Sequence, residues 1–305
     1  MTMLSRRILG DITWIDLESP TQGEVRLLMD EFGVDAPVAE ELLLPTVRPR
    51  FEMHERFLYI IFHFPALRHT HRDTEQEIDF VIGKNFVITT RYDNIDPLHK
   101  FAKLFEINSL IDEKVENIHG GHIFYYMMKK MYKSVEHEIS SVRDELHDIV
   151  ARIFRGKERQ MVVSLSRSAR DLLDLRQVIE PHRDVLREIE DHAPGFFGEG
   201  FKLYMNNLSN EYYRVHNHIM REIESLHELR ETNNSLLYTK QNEVMKILTI
   251  MAFVTFPLSL VAAVFGMNTV NTPIVGTPND FWIIVGFMIV GMIFMFWYFK
   301  HKSWF

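Results

Sequence analysis

ILTIMAFVTFPLSLVAAVF, residues 247–265, followed directly by Gly266-Met267-Asn268, is the stretch that decides the architecture of this chain. It offers nineteen residues without a charged side chain, and FWIIVGFMIVGMIFMFWYF at 281–299 offers nineteen more. Both come close to the roughly 20 residues that a helix needs to cross the hydrocarbon core of a bilayer. The sequence therefore predicts two transmembrane helices, at about 246–265 and 281–300, joined by an external loop at 266–280.

The flanking residues favour a lipid bilayer over the alternative, a hairpin buried in a soluble core. Aromatic side chains crowd both ends of the second stretch, and Lys300 and Lys302 follow it, as at a membrane interface. Basic residues also precede the first stretch, whereas the loop 266–280 contains no Lys or Arg. By the positive-inside rule both termini lie in the cytoplasm and the loop lies outside.

Composition excludes several classes of function. The net charge of −8 argues against nucleic acid as a partner and fits an acidic surface that attracts cations. The chain has no cysteine, which rules out a disulfide framework, a thiolate zinc site and a thiol nucleophile. Residues 1–11 lack the apolar run of a signal peptide, so we expect the polar front to stay in the cytosol.

Residues 1–115 carry the pattern of a cytosolic α/β domain. Alternation predicts a strand at 12–17, and helical periodicity at 24–32 ends at Gly33. The apolar run 57–64, closed by Pro65, predicts a buried strand, and 78–82 with 86–89 predict a hairpin around Gly83-Lys84-Asn85. No GxxxxGK[ST] pattern surrounds Gly83-Lys84, so the pair marks a turn and not a phosphate loop.

From about residue 116 the pattern becomes helical. Long antiparallel helices are predicted over 116–195, with breaks at Arg155-Gly156 and at 193–195 and a kink or split at Pro181. A stalk helix is predicted over 196–265, continuing into the first span. Its 201–265 part would extend roughly 97 Å at 1.5 Å per residue. Residues 301–305 form a basic cytosolic tail. A rigid rod of this kind can transmit a change in a soluble domain to the membrane.

Two spans cannot enclose an aqueous path, so conduction requires a ring of identical subunits. The first span is the better lining, because it carries Thr249, Thr255 and Ser259 and the second has no hydroxyl or amide side chain before Tyr298. Alternatively, these hydroxyls bond back to their own helix, as Ser and Thr do in any membrane helix.

The absence of charge between Lys246 and Asp280 narrows the choice of ion. A pathway without carboxylates offers neutral oxygens, which suit a Mg²⁺ ion that keeps several of its waters. Gly266 permits a sharp turn, and Asn268 can then direct its amide oxygen at the mouth. Neither span contains the His or Cys expected of a Zn²⁺ or Cu⁺ site.

Four segments, in this order, resemble the CorA family of magnesium transporters: Trp14-Ile15-Asp16-Leu17, Gly83-Lys84-Asn85-Phe86, Asn242-Glu243-Val244-Met245-Lys246 and Gly266-Met267-Asn268. The resemblance implies a homopentamer, funnel-shaped, in a prokaryotic inner membrane, with Gly266-Met267-Asn268 as the periplasmic selectivity filter for hydrated Mg²⁺. It places pore-facing side chains at Asn242, Leu248, Phe256 and Ser259, besides Asn268. Leu248 and Phe256 would be the hydrophobic constrictions.

The chain departs from the family pattern at several points. Phe256 replaces a methionine, Phe265 a tyrosine and Thr269 an aromatic residue, and the external loop has no acidic residue before Asp280. The resemblance also implies regulatory Mg²⁺ between cytosolic domains, but the matching segment 206–211 carries amides where acids are expected. The candidate regulatory ligands are Asp93, Asp96, Asn207, Asn210 and Glu211.

Other clusters carry no chemistry in this interpretation. We expect the His-x-His pairs at 69–71 and 216–218 to be exposed, and His119-Gly120-Gly121-His122 to cap a helix. No HExxH, GxSxG or paired-carboxylate motif supports hydrolysis, so the chain is not predicted to be an enzyme and no organic cofactor is expected.

Three hypotheses follow. The first is a channel-like Mg²⁺ transporter. The second has the same architecture but carries Co²⁺, Ni²⁺ or Zn²⁺; the zinc-transporting branch of the family carries Gly-Ile-Asn, so Met267 counts against zinc. The third is a membrane-anchored signalling or scaffold protein whose helical hairpin is only a tether.

Overall fold

The structure is a computed structural model that describes residues 4–65, 75–92, 97–98, 101–102, 118–268 and 274–302. The chain divides into two compact units, Met1–Arg230 and Glu231–Phe305. Within the described ranges the longer elements follow in this order: β1 (Ser5–Leu9), β2 (Ile12–Glu18), α1 (Gln22–Phe32), α2 (Ala36–Glu41), β3 (Arg50–Met53), β4 (Leu58–Pro65), β5 (Glu75–Ile82), β6 (Phe86–Arg91), α3 (Gly120–Phe154), α4 (Glu158–Ile179), α5 (His182–Phe197), α6 (Lys202–Phe265) and α7 (Asp280–His301).

The first unit is built around a six-stranded mixed sheet with the order β1-β2-β6-β5-β4-β3. Strands β2 and β6 are parallel, and every other neighbouring pair is antiparallel. The parallel pair arises because the chain leaves β2 through α1 and α2, builds the β3–β6 meander and returns beside β2. The sheet thus brings the start and the end of the front segment together.

Helices cover both faces of this sheet. On one face Tyr59, Ile61, Val81 and Ile88 pack in a continuous core with apolar residues of α1 and α2. On the other, the Phe62 and Phe80 rings contact Phe124 of α3 at centroid distances of 6.4 and 5.2 Å. Side chains alternate along a strand, so the fully buried β4 supplies both cores.

Local chemistry sets the ends of these elements. Thr21 and Glu24 form a reciprocal capping box at the start of α1, and Gly33 ends that helix in the left-handed region at φ 68°. In the β5–β6 hairpin a Cβ on Gly83 would collide with the Phe86 ring. Gly120 donates its N–H to the Lys84 carbonyl at 2.8 Å, which docks the start of α3 on this hairpin.

The sequence predictions for the front segment hold for β2, α1, β4 and the β5–β6 hairpin, with small differences in their bounds. Pro65 lies inside the end of β4 instead of after it. The elements β1, α2 and β3 were not predicted. Each has six residues or fewer and carries charged side chains, so its hydrophobic periodicity is too short to stand out.

Of the three helix breaks predicted between residues 116 and 195, the structure has two. The chain interrupts its helices at Arg155-Gly156 and splits them at Pro181. The break expected at 193–195 was wrong, because α5 continues through Pro194 and ends at Gly198, where φ is 109°. The prediction of one long helix was correct, because α6 runs without interruption for 64 residues and includes Pro257.

His182 locks α5 onto the sheet and α3. Its ring is fully buried, with Nδ1 3.0 Å from the Tyr132 hydroxyl and Nε2 2.7 Å from the His63 carbonyl. Because the carbonyl only accepts, Nε2 carries the proton and Nδ1 accepts from Tyr132. Burial lowers the pKa of His182 to about 3.

This depressed pKa predicts acid destabilisation. Below about pH 6.5 His182 is protonated in the unfolded chain but stays neutral in the folded chain. The folding constant therefore falls about tenfold for each unit that the pH is lowered, down to about pH 3. In the His182→Gln variant the dependence of the folding constant on pH should be weaker by about a factor of ten per pH unit. Denaturation of the full chain in detergent at pH 4.5, 5.5 and 6.5 measures it. The same change at His137, an exposed histidine of α3, is the control. Equal slopes in His182→Gln and wild type would contradict the assignment.

Candidate functional site

The Gly266-Met267-Asn268 segment follows directly on the end of α6. The Gly266 N–H bonds to the Ala262 carbonyl at 2.9 Å, and the Met267 N–H reaches Val264 at 3.4 Å. A Cβ on Gly266 would stand 3.0 Å from the Ala262 carbonyl oxygen, so a larger residue forces this turn to shift. Glycine is therefore favoured here by close backbone approach. Helix α6 ends at Phe265, and the chain turns at Gly266 and bends at Met267 without a left-handed φ at Gly266.

Both side chains that end this segment are exposed. Met267 is 58% exposed, and Asn268 also lies at the surface of the chain. Its carboxamide therefore remains available for water or a hydrated ion.

Helix α7 packs against one side of α6 in the second unit. Ile250 and Val254 of α6 form a small core with Phe299 of α7, and Leu258 and Met295 pack against it. The Phe253 and Phe299 rings meet edge to face at 6.4 Å. Residues 250, 254 and 258 lie four apart, so they form a single stripe on α6.

The opposite side of α6 carries the residues predicted to line a pore. At 100° per residue, Leu248, Phe256 and Ser259 lie about 120–160° around the helix from the stripe that contacts α7. Phe256 is 71% exposed and Leu248 is 51% exposed. Asn242 and Ser259 are also exposed. These four residues therefore lie on the side of α6 that α7 does not cover.

Two of the hydroxyls considered as lining groups bond to their own helix. The Thr249 hydroxyl donates to the Met245 carbonyl at 2.8 Å, and Thr255 donates to Met251 at 2.9 Å. The alternative of back-bonding therefore applies to both threonines.

The apolar segments of α6 and α7 leave most of their side chains exposed at the surface of the chain. Within the described residues, two helices are long and apolar enough to cross a membrane, Glu199–Phe265 and Asp280–His301. Only 11% of the most apolar window is buried in the first and 0% in the second. The alternative of a buried soluble hairpin fails on this observation, because soluble proteins do not leave apolar patches of this size uncovered.

The candidate regulatory residues are only partly described. Asp93 and Asp96 lie outside the residues that the structure describes. Asn207 and Asn210 are exposed on α6. Glu211 is 2.5 Å from Arg214, whose guanidinium also bonds Glu136 of α3 at 2.7 and 3.1 Å. Glu211 is thus engaged within the chain, and the described residues contain no group of three His, Cys, Asp or Glu arranged to hold a metal.

The three histidine clusters singled out in the sequence have different surroundings. His119 is the N-cap of α3, and its N–H bonds to Nδ1 of His122 at 3.2 Å, as expected of a capping segment. Burial lowers the pKa of His119 to about 3 and also lowers that of His122. His216 and His218 are only partly exposed, so the expected exposure of this pair was wrong, and His218 pairs with Glu222 one turn along α6 at 3.5 Å. The pair at 69–71 lies outside the described residues.

A family model described as the CorA-like Mg²⁺ transporter protein matches residues 10–301. This match spans the sheet from β2 onward, the long helices and both apolar helices. The chain belongs to the CorA family. Proteins of this family are transporters and not enzymes, in agreement with the expectation from the motifs.

Individual CorA proteins are similar over almost the whole chain. The cobalt/magnesium transport protein CorA of Thermotoga maritima is 23% identical over 294 residues, covering 96% of this chain and 83% of the relative. The magnesium transport protein CorA of Haemophilus ducreyi is 24% identical over 313 residues, covering 97% and 93%. The complete structure of the CorA magnesium transporter of Methanocaldococcus jannaschii matches with a TM-score of 0.83 at 21% identity, covering 97% and 92%. This CorA chain therefore has the α/β front, long helices and two terminal apolar helices of that fold.

Sequence reasoning about this CorA chain missed two features. The first is which side of α6 contacts α7. The apolar segment of α6 has no contrast between polar and apolar residues that would indicate this side. The second is that Arg214 pairs with both Glu211 and Glu136, for which the i,i+3 spacing of Glu211 and Arg214 was the available signal.

Proposed function

We propose that this chain is one subunit of a homopentameric, channel-like transporter that admits Mg²⁺ to the cytoplasm of a prokaryotic cell. The separation of the two sides of α6 supports the proposal most directly. Leu248, Phe256 and Ser259 lie on the side away from α7, where they can face a central axis. Ring closure by identical subunits would then bury this side and leave α7 toward lipid.

The chemistry of the lining fits a hydrated divalent cation. Residues 247–279 contain no charged side chain, so the path has no carboxylate to strip water from an ion. Mg²⁺ releases its waters reluctantly, and carboxamide and hydroxyl oxygens can hydrogen-bond a hydration shell. In this proposal Gly266-Met267-Asn268 forms the outer filter, Ser259 and Asn242 contact the hydrated ion, and Leu248 and Phe256 form apolar constrictions that gate by dewetting.

The membrane topology follows from the distribution of charge. Both termini lie in the cytoplasm, and 266–280 lies outside the inner membrane, since Lys and Arg flank the helices only on their inner sides. The segments 1–115 and 116–195 form the cytosolic part, 196–265 the stalk and first span, and 281–300 the second span. Gating by the cytosolic part through α6 completes the proposal.

Ion preference is a separate part of the proposal. Mg²⁺ is the principal substrate, and Co²⁺ is the specific alternative because the Thermotoga maritima relative is named a cobalt/magnesium transport protein. Ni²⁺ and Zn²⁺ are further alternatives on the same architecture. Competition of each ion against Mg²⁺ uptake in vesicles decides among them. Regulatory Mg²⁺ at Asp93, Asp96, Asn207, Asn210 or Glu211 is tested by its effect on flux when cytosolic Mg²⁺ is raised.

A cysteine scan tests the lining directly, because the chain has no cysteine of its own. We expect a charged, hydrophilic thiol reagent to modify Leu248→Cys, Phe256→Cys and Ser259→Cys and to reduce Mg²⁺ flux severalfold. Val254→Cys and Leu258→Cys, on the side that packs against α7, are the matched controls and should remain unmodified. Modification of the controls with protection of Ser259→Cys would refute the proposed lining. The mass of the particle in detergent separates a pentamer from a monomeric or dimeric membrane-anchored scaffold.

A further inference from the structure

Two carboxyl groups lie next to each other inside the first unit, on the face of the sheet that α1 and α2 cover. Glu77 and Asp79 alternate with buried residues of β5 and therefore point to the same side of the strand. Asp79 is fully buried and Glu77 is 6% exposed. Residues 77 and 79 are neighbours on one face of the strand, so their carboxyl groups adjoin each other. Two adjacent ionised carboxylates at such a site would repel each other without water to screen them.

The hydrogen-bond donors around the pair are unevenly divided. The Thr46 N–H and hydroxyl donate to the Glu77 carboxylate at 2.7 and 3.2 Å, and His63 Nε2 lies 3.2 Å from it. Asp79 Oδ2 has the Tyr92 hydroxyl at 3.0 Å, whereas Oδ1 has no partner among the described residues. Glu77 thus has the donors that a negative charge needs, and Asp79 does not.

The Tyr92 hydroxyl has more neighbouring acceptors than hydrogens to donate. The Tyr92 oxygen lies 3.0 Å from Asp79, 3.1 Å from the Leu44 carbonyl and 3.4 Å from the Glu41 carbonyl. One hydroxyl proton cannot serve all three acceptors. The fully buried Thr90, directly opposite Asp79 in the register, and Tyr59 each have an oxygen without a partner in the described part of the chain.

We propose that Asp79 and Glu77 form a buried proton-binding site, with the proton on Asp79 and the charge on Glu77, that fastens β5 to the segment between α2 and β3. The proton supplies the missing donor between the two carboxyls. Glu77 then holds Thr46, and the Tyr92 hydroxyl donates to Asp79 Oδ2. Loss of this proton places two negative charges in one dry site and loosens both attachments.

The electrostatic surroundings agree with this geometry. Burial, followed by the nearby charge of Glu77 and the hydrogen bond to it, raises the pKa of Asp79 well above its usual value. The Arg50 guanidinium of β3 opposes this shift, but Arg50 also pairs with Glu41 and Glu52. From β4, burial opposes a charge on His63, yet hydrogen bonds to Glu77 and Thr46, together with Glu77 and Glu75, raise its pKa. The Tyr59 and Tyr92 hydroxyls remain protonated, since burial raises the pKa of both.

The sign of the pH dependence follows from the raised pKa of Asp79. Above about pH 4 the unfolded chain has released this proton and the folded chain keeps it, so each pH unit favours unfolding about tenfold until Asp79 ionises in the fold. An asparagine at position 79 keeps the donor and the shape and has no proton to lose. The folding constant of Asp79→Asn relative to wild type should therefore rise about tenfold per pH unit from pH 5 upward.

Denaturation of the full chain in detergent from pH 5 to 8 tests this, with Asp30→Asn, the same change at an exposed aspartate of α1, as the matched control. His63 titrates in wild type and variant alike, so the ratio of folding constants isolates Asp79. Infrared spectroscopy of the wild type supplies an independent measurement: a protonated carboxyl band that persists at neutral pH and disappears on alkalinisation supports the site. A ratio that does not change with pH, or the absence of that band, overturns the proposal. If Mg²⁺ or Na⁺ at constant pH stabilises wild type but not Asp79→Asn, a metal ion occupies the site and the proton assignment is wrong.

Discussion

Asn268→Ala is expected to reduce Mg²⁺ uptake into vesicles by about tenfold or more. In a ring of five subunits the change removes five carboxamides from the outer mouth at once. A net contribution of about 1 kcal/mol for each lost hydrogen bond to the hydrated ion is sufficient for a reduction of this size. The exposed position of Asn268, directly after the end of α6, leaves its carboxamide free for this contact.

Two further variants make the result specific. Asn268→Gln retains the carboxamide but moves it by one methylene, so partial uptake is expected. Asn271→Ala makes the same chemical change three residues along the chain and should leave uptake within about threefold of wild type, which lies inside the context dependence of a single hydrogen bond. If Asn268→Ala transports Mg²⁺ as well as wild type, the proposed filter is wrong, whatever the outcome of the cysteine scan.

Ser259→Lys is expected to abolish Mg²⁺ uptake. Residues 247–279 contain no other charge, so a lysine on the uncovered side of α6 would place a ring of five positive charges in the path. At an effective dielectric constant of about 20, a single pair of unit charges 4 Å apart interacts by about 4 kcal/mol, and a divalent ion meets twice that from each lysine. Even after screening by water in the pore, the barrier should lower flux far more than tenfold.

Ser259→Gln is the matched control, because it adds a polar side chain of similar reach without a charge. We expect it to retain uptake within about threefold, as for a modest change in hydrogen bonding. Uptake is measured after the amount of pentamer in the membrane has been shown to be equal for both variants. Wild-type flux through Ser259→Lys would place residue 259 outside the ion path and would remove the main support for the proposed orientation of α6.

Much of this fold could be predicted from elementary patterns. The two uncharged stretches have the length of membrane helices, and the chain between Phe201 and Pro257 contains no Gly or Pro to stop a helix. Thr21 with Glu24, and Gly33, mark the ends of α1 because capping depends on residues within one turn of each other. The one incorrect break shows the limit of such local rules: Pro194 has no N–H to donate, yet α5 continues through it to Phe197.

Contacts between distant segments were outside the reach of these patterns. Strand β5 alone does not indicate that Glu77 meets Thr46 or that Asp79 meets Tyr92, because both contacts depend on the order of strands in the sheet. Likewise, Glu211 has the composition of a metal ligand, but Arg214 and, through it, Glu136 of a separate helix engage it within the chain.

The sequence by itself determined that this protein has two helices long and apolar enough to span a membrane, an uninterrupted α6 and a Gly-Met-Asn segment between the two apolar helices. These properties depend on local length, charge and backbone freedom. Only the tertiary structure decided which side of α6 is covered by α7 and which carries Phe256 and Ser259. In a soluble helix the contrast between polar and apolar residues marks the buried side, but a membrane helix is apolar all round, so shape and packing alone select its partner.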